Sequence, residues 1–228
     1  EQFFSLALTF LKKSLEESLL KTNYASALKI FQTAHYIREL CQKEQSWALN
    51  EIETFLIEVS GPDYIELLKE SLNEKETPHL KEIREILLLL SPESIGTLAH
   101  MLVEIESAQT EEMLIEVITT LAQQDYRPIE PLLKDAPDDM LLVLIGVLNR
   151  VSSDSAHQLL FTLTRHQSEI VRKVVLRTLI NKKVWNPESY FTMVEDESTS
   201  IRKTVLDYLG SKRCEKTERL FINYLKNS

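Results

Sequence analysis

Apolar residues recur along this chain at helical spacing, with no long stretch of the alternation expected of a strand. Four stripes share one layout at positions i, i+3, i+4 and i+7: Ile83-Ile86-Leu87-Leu90, Leu114-Val117-Ile118-Leu121, Leu141-Leu144-Ile145-Leu148 and Arg172-Val175-Leu176-Leu179. Successive stripes are offset by 31, 27 and 31 residues, and a fifth, Arg202-Val205-Leu206-Leu209, follows 30 residues later. Between them lie other apolar sets: Ile95-Leu98-Leu102-Ile105, Ile129-Leu132-Leu133, Leu159-Leu160-Leu163 and Tyr190-Phe191-Val194. Each period therefore reads as a hairpin of two helices. One hairpin cannot bury both of its stripes alone, so the pattern predicts stacked units.

Punctuation agrees with the stripes. Pro62, Pro78, Pro92, Pro128, Pro137 and Pro187 stand where helices would begin; in a first turn the missing proline N–H costs nothing. Pro131 is the exception and limits the helix before it. Ser91-Pro92-Glu93-Ser94 and Asn186-Pro187-Glu188-Ser189 repeat one start signal, an N-cap residue, Pro, then an acid near the positive helix end. Gly210 suits a C-terminal cap. Splitting at these marks predicts about fourteen helices, near 2–20, 23–42, 44–60, 62–74, 78–90, 92–106, 110–124, 127–134, 137–151, 154–165, 168–181, 187–195, 197–209 and 215–226.

The expected organisation is an N-terminal part, 1–61, and a repeat array, 62–228, ending in a closing helix with Leu220, Phe221, Tyr224 and Leu225. The N-terminal helices are longer, with stripes Ala27-Ile30-Phe31-Ala34-Ile37-Cys41 and Ala48-Leu49-Ile52-Phe55-Leu56-Val59 and Trp47 at the edge. They fit a cap over the first repeat or divergent repeats equally well.

The most regular pair is Ser168-Glu169-Ile170-Val171-Arg172-Lys173-Val174-Val175-Leu176 and, 30 residues on, Ser198-Thr199-Ser200-Ile201-Arg202-Lys203-Thr204-Val205-Leu206. With Asp196 two residues before Ser198 and Arg202 six after the Asp, the segment resembles the second helix of a HEAT-like repeat. Two copies depart from that pattern: His166 takes the Asp place before Arg172, and Asp135 keeps the acid while Leu141 replaces the Arg. The resemblance runs over 62–210 and is closest over about 110–210. It implies an all-α, right-handed α-solenoid (an armadillo-like α-α superhelix) similar to bacterial multi-repeat HEAT proteins. Second helices would line its concave face, and Asp–Arg pairs would tie neighbouring repeats. Such motifs specify architecture and hardly any function.

Composition narrows the function classes. Of 228 residues only four are Gly, and Gly61, Gly96, Gly146 and Gly210 are scattered, so no phosphate-cradling glycine loop exists. No apolar run approaches the roughly 20 residues of a membrane span, and the start lacks the basic n-region of a signal peptide. A first residue of Glu1 rather than Met is expected of a domain from a longer chain. Cys41 and Cys214 stand alone, and a reducing, cytoplasmic setting is the default expectation. The net charge of -9 argues against whole-surface attraction to nucleic acid. That charge is unevenly spread: residues 165–228 hold 13 Lys and Arg against 8 Asp and Glu.

No spacing carries catalysis. His35, His79, His100, His157 and His166 form no paired metal motif. His35 and His100 read as packing residues, and His166 as a hydrogen-bonding residue of a repeat turn. Cys41 continues an apolar stripe. Glu111-Glu112, Asp138-Asp139 and Glu195-Asp196-Glu197 suit first helical turns, and no nucleophile elbow or calcium loop is present. The expectation is a non-enzyme without metal or cofactor. It would be a scaffold that binds another protein, such as an acidic segment, on its concave surface. Candidate partner-binding residues are Arg172, Lys173, Arg177, Arg202 and Lys203. Arg172 and Arg202 also fit ties between repeats, with the lysines as solvated surface. The alternative is nucleic-acid binding of the HEAT-like alkylpurine DNA glycosylase type. That needs a long basic track with aromatics, whereas the tryptophans are Trp47 in the acidic half and Trp185 in a turn. A HEAT-like bilin lyase rests on repeat analogy alone.

Overall fold

The structure, a computed structural model, describes residues 2–44, 46–72, 79–151, 153–212 and 215–227, with only the backbone at 43, 44, 46, 223–225 and 227. Among these residues the chain is helical throughout, with no strand. The helices are α1 (Gln2–Leu20), α2 (Tyr24–Glu44), α3 (Ser46–Val59), α4 (Pro62–Leu72), α5 (Leu80–Leu88), α6 (Ile95–Glu104), α7 (Ala108–Gln124), α8 (Ile129–Asp135), α9 (Asp138–Arg150), α10 (Asp154–Thr162), α11 (Glu169–Asn181), α12 (Pro187–Phe191), α13 (Thr199–Ser211) and α14 (Glu215–Asn227). They fall into two compact units, Glu1–Leu132 and Leu133–Ser228, divided inside α8. The first contains both the long N-terminal helices and the earliest stripes.

In that first unit α2 packs against α1, α3 and α5, while α4 packs against α6 and α5 against α7. In the second, α11 packs against both α9 and α13, and α12 against α13 and α14. Helices thus meet their next-but-one neighbours as well as their sequence neighbours. The stripes explain why. Ile83, Ile86, Leu87 and Leu90 are buried, as are Leu114, Val117, Ile118 and Leu121, and Leu141, Leu144, Ile145 and Leu148. In α11, Arg172, Val175, Leu176 and Leu179 are buried too. In α13, Val205 and Leu209 are buried, but Leu206 is 40% exposed, whereas Leu176 at the same stripe position is 1% exposed.

Several helix ends differ from expectation. Pro78 lies outside the described residues. Pro92 opens a single 3-10 turn, Pro92–Ser94, ahead of α6. Asn186 caps α12 by accepting from the Ser189 N–H at 3.2 Å, whereas Ser91 donates to the Glu93 carboxylate instead of capping a backbone N–H. Pro137 is the N-cap of α9 rather than its first residue, and Pro131 is the third residue of α8. Gly210 is helical, and α13 runs on to Ser211.

Among the described residues two helices end in Schellman motifs with no glycine. After α11, Lys183 adopts φ 57°, its N–H reaching Ile180 O at 2.9 Å while the Val184 N–H reaches Leu179 O at 3.1 Å. After α1, Thr22 adopts φ 52°, with its N–H on Leu19 O and the Asn23 N–H on Ser18 O. Left-handed backbone is unfavourable for side chains with a Cβ, most of all for a β-branched one. The paired hydrogen bonds hold these two residues in it.

Burial at the stripe positions makes a direct comparison possible. Leu176→Ala is expected to cost about 2–5 kcal/mol, because its cavity lies between packed helices. Leu206→Ala should cost less than about 1 kcal/mol, since half-exposed Leu removes little area from water. Urea unfolding of both variants checks the difference.

Candidate functional site

The junction of α11 with α13 concentrates the polar chemistry of the second unit. Arg172 projects from the first turns of α11, and its side chain is 10% exposed. Its Nε donates to Asp196 Oδ2 at 2.7 Å and its Nη2 to Asp196 Oδ1 at 3.0 Å, a bidentate grip. Its Nη1 donates to the carbonyls of His166 and Gln167 at 2.8 and 2.9 Å. One side chain therefore fastens the turn before its own helix and the turn before the next.

Asp196 is 6% exposed and does a second job. Its Oδ1 also accepts from the Ser198 N–H at 2.8 Å, which closes the turn into α13. Burial pushes its carboxyl pKa up, but the hydrogen bonds from Arg172 and the Ser198 N–H outweigh this and hold it below the usual carboxylate range. At the preceding turn His166 occupies the corresponding place. Its Nδ1 accepts from the Ser168 N–H at 3.2 Å, so an imidazole lone pair replaces a carboxylate oxygen. Glu169 adds a further link, accepting from Lys173 Nζ at 2.6 Å and from Ser198 Oγ at 2.7 Å. The Lys173 ammonium is the main reason the Glu169 carboxyl sits below its ordinary pKa.

The candidate basic residues are therefore not equivalent. Arg172 is committed to Asp196, and Lys173 to Glu169 on its own helix. Arg202 holds the carbonyls of Asp196 and Glu197 at 2.6 and 2.9 Å and Thr199 Oγ1 at 2.9 Å. Arg177 and Lys203 are exposed, and no ion pair involves them among the described residues. Half-buried Val174 stands one helical turn before Arg177 on α11.

An aromatic cluster flanks this junction. Phe161 meets Tyr190, Tyr190 meets Tyr208, and Tyr208 meets Trp185, all edge to face at 5.1–5.9 Å between centroids. The Tyr190 hydroxyl donates to Val184 O at 2.8 Å, and burial raises its pKa well above the usual value. Trp185, considered above as a nucleic-acid contact, packs against Tyr208 in an edge-to-face contact. Sequence reasoning did not anticipate the cluster, because its members come from four separate segments.

Two clefts of the first unit are lined by described residues. One, of about 500 Å³, lies between α1 and α3, where Ser5 donates to Glu51 at 2.7 Å and Lys12 to Glu58 at 2.8 Å. The other, of about 380 Å³, has His35 and Arg38 in its wall beside Leu56, Leu88 and Pro92. His35 Nε2 bonds Leu89 O at 2.7 Å, and burial lowers the pKa of the ring. His100 is exposed, and His79 packs edge-on against Tyr24. Cys41 is half-buried, and Cys214 lies outside the described residues. Among the described residues no cluster of His, Cys, Asp and Glu could hold a metal ion, and no single helix is long and apolar enough to cross a membrane.

Removing one partner of a buried ion pair strands the other. Asp196→Asn is therefore expected to cost about 3 kcal/mol or more at neutral pH by urea unfolding. The acid dependence follows from the depressed pKa. Unfolded Asp binds its proton near pH 3.9, so the contribution is complete above about pH 4 and drains away as pH falls through the lower folded value. The stability gap between wild type and Asp196→Asn should accordingly be full at about pH 7, begin to narrow near about pH 4 and close only below the lower folded value. No protein-family model matches the chain, and no curated protein is similar to it.

Proposed function

We propose that the chain is a right-handed α-solenoid of HEAT-like hairpins, and that it acts as a non-catalytic scaffold docking an acidic segment of another protein on its concave surface. The observation that carries this is the contrast at the α11–α13 junction. Arg172 and Asp196 consume each other's charge, while Arg177 and Lys203 on the same two helices remain exposed and unpaired among the described residues. A basic pair on a rigid, packed two-helix floor can hold carboxylates without ordering long loops. The next-but-one helix contacts in each unit support the stacked arrangement. Half-buried Val174, one turn before Arg177, would take the hydrocarbon part of a bound segment.

Charge reversal at the exposed pair separates docking from stability. Arg177→Glu with Lys203→Glu should leave the unfolding free energy within about 0.5 kcal/mol of wild type, as expected of surface positions. The same variant should lose partners that crosslink to the wild-type chain in native lysate. Retention of every partner would remove these residues from the binding surface. Binding to duplex DNA in a low-salt gel shift would favour the nucleic-acid alternative instead.

A further inference from the structure

The 380 Å³ cleft of the first unit is walled by side chains of α2 and α3 and by the carboxyl ends of two helices. α5 ends at Leu88 with Leu89 as its C-cap, α7 ends at Gln124 with Asp125 as its C-cap, and all four residues line the space. Carboxyl ends of helices carry partial negative charge and favour a cation. From α2 comes a full positive charge, Arg38, one turn after His35. Its Nε is closed to solvent and has no hydrogen-bond partner, and among the described residues no ion pair involves Arg38. A shielded donor of this kind costs free energy until an acceptor reaches it. His35 adds no charge, because its Nε2 donates to Leu89 O and burial lowers the pKa of the ring. The carboxylates of the cleft are not alike. Asp125 is answered by Arg127, which donates to both of its oxygens, and Glu93 accepts from Ser91 Oγ. Exposed Glu53 on α3 has no ion pair among the described residues. Leu56, Ile57, Leu88 and Pro92 give the cleft an aliphatic lining, with Ile57 49% exposed.

We propose that this cleft binds a small zwitterion of dipeptide size with aliphatic side chains, its carboxylate on Arg38 and its ammonium toward Glu53 and the carboxyl ends of α5 and α7. The charges of the wall select this chemistry. A plain anion would satisfy Arg38 but meet Glu53, Glu93 and two helix carboxyl ends. A plain cation would suit those groups, yet leave Arg38 Nε unmet beside a like charge. A ligand carrying both charges answers both. Its carboxylate gives the guanidinium a charge-assisted acceptor, and its side chains lie on Leu56, Ile57, Leu88 and Pro92. Small-ligand pockets run from about 300 to about 1,000 Å³, so a cleft of 380 Å³ suits a dipeptide better than a longer chain. Every lining residue belongs to the first unit, so this reading stands apart from the docking proposed for α11 and α13.

L-leucyl-L-leucine is the probe, titrated into the full chain by isothermal calorimetry. It is expected to bind with a Kd of about 1 mM or tighter, ordinary for a ligand of its size. Amidating its carboxyl terminus or acetylating its amino terminus should each weaken binding at least about tenfold, the scale of a charge-assisted hydrogen bond. These derivatives leave the chain unaltered, so the comparison does not depend on how a variant folds. Arg38→Gln should weaken binding of the free dipeptide at least about tenfold as well. Glu53→Gln should erase most of the preference for the free amine over the acetylated form, and Arg177→Glu should change nothing. No binding at about 10 mM dipeptide, or equal binding of the amide and the free acid, overturns the proposal. Unchanged affinity in a folded Arg38→Gln chain also overturns it, because the dipeptide would then lie elsewhere.

Discussion

Short amphipathic helices have no stability of their own, and that constraint governs this molecule. Most of its helices run 7–17 residues, near or below the length at which an isolated helix persists in water. Each must give its apolar stripe to a neighbour. Buried stripes show the exchange within each unit, where α5 lies against α2 and α7, and α11 against α9 and α13. Interiors of this kind are close-packed, so a gap at one seam is felt by the helices on both sides.

Apolar seams do not fix how far one helix slides along another, because Leu and Ile offer no directional bond. Directional bonds at the turns do. Arg172 reads two carbonyls on its own side and one carboxylate on the other, and Glu169 reaches Ser198. Comparable ties cross the first unit, where Arg84 pairs with Glu116, Lys69 with Glu104, and the Ser91 N–H with Ser60 Oγ. The exposed pairs contribute little energy individually. The Arg172–Asp196 pair is different because both side chains are nearly dry, so its geometry is over-determined.

Helix count, the stripe register and most helix starts were legible from spacing alone, because burial imposes a strict period on apolar residues. The Asp196 turn and the hydrogen-bonding part of His166 were legible too, since both sit two residues before a Ser that opens a helix. Less visible were features set by long-range partners. Arg172 and Arg202 stand in closely similar sequence, and the difference shows only in the structure, where Arg172 reaches Asp196 and Arg202 stays on its own turn. Gly210 signals a stop by its type, yet the helix continues through it because no tertiary contact forces a left-handed turn there. The Tyr190–Tyr208–Trp185 cluster needed the α11–α13 packing before its members could meet.

The scarcity of glycine leaves a mark at two helix ends. Thr22 and Lys183 are bent into the mirror-handed region, where a hydrogen at Cα would suffice and any bulk is penalised. Neither site is held by a glycine's freedom; each is held by the bonds that close the turn around it. Strain of that sort is a reserve. Evolution or an engineer can relax it by a single replacement that disturbs no seam, and so offset the damage of a costlier change elsewhere.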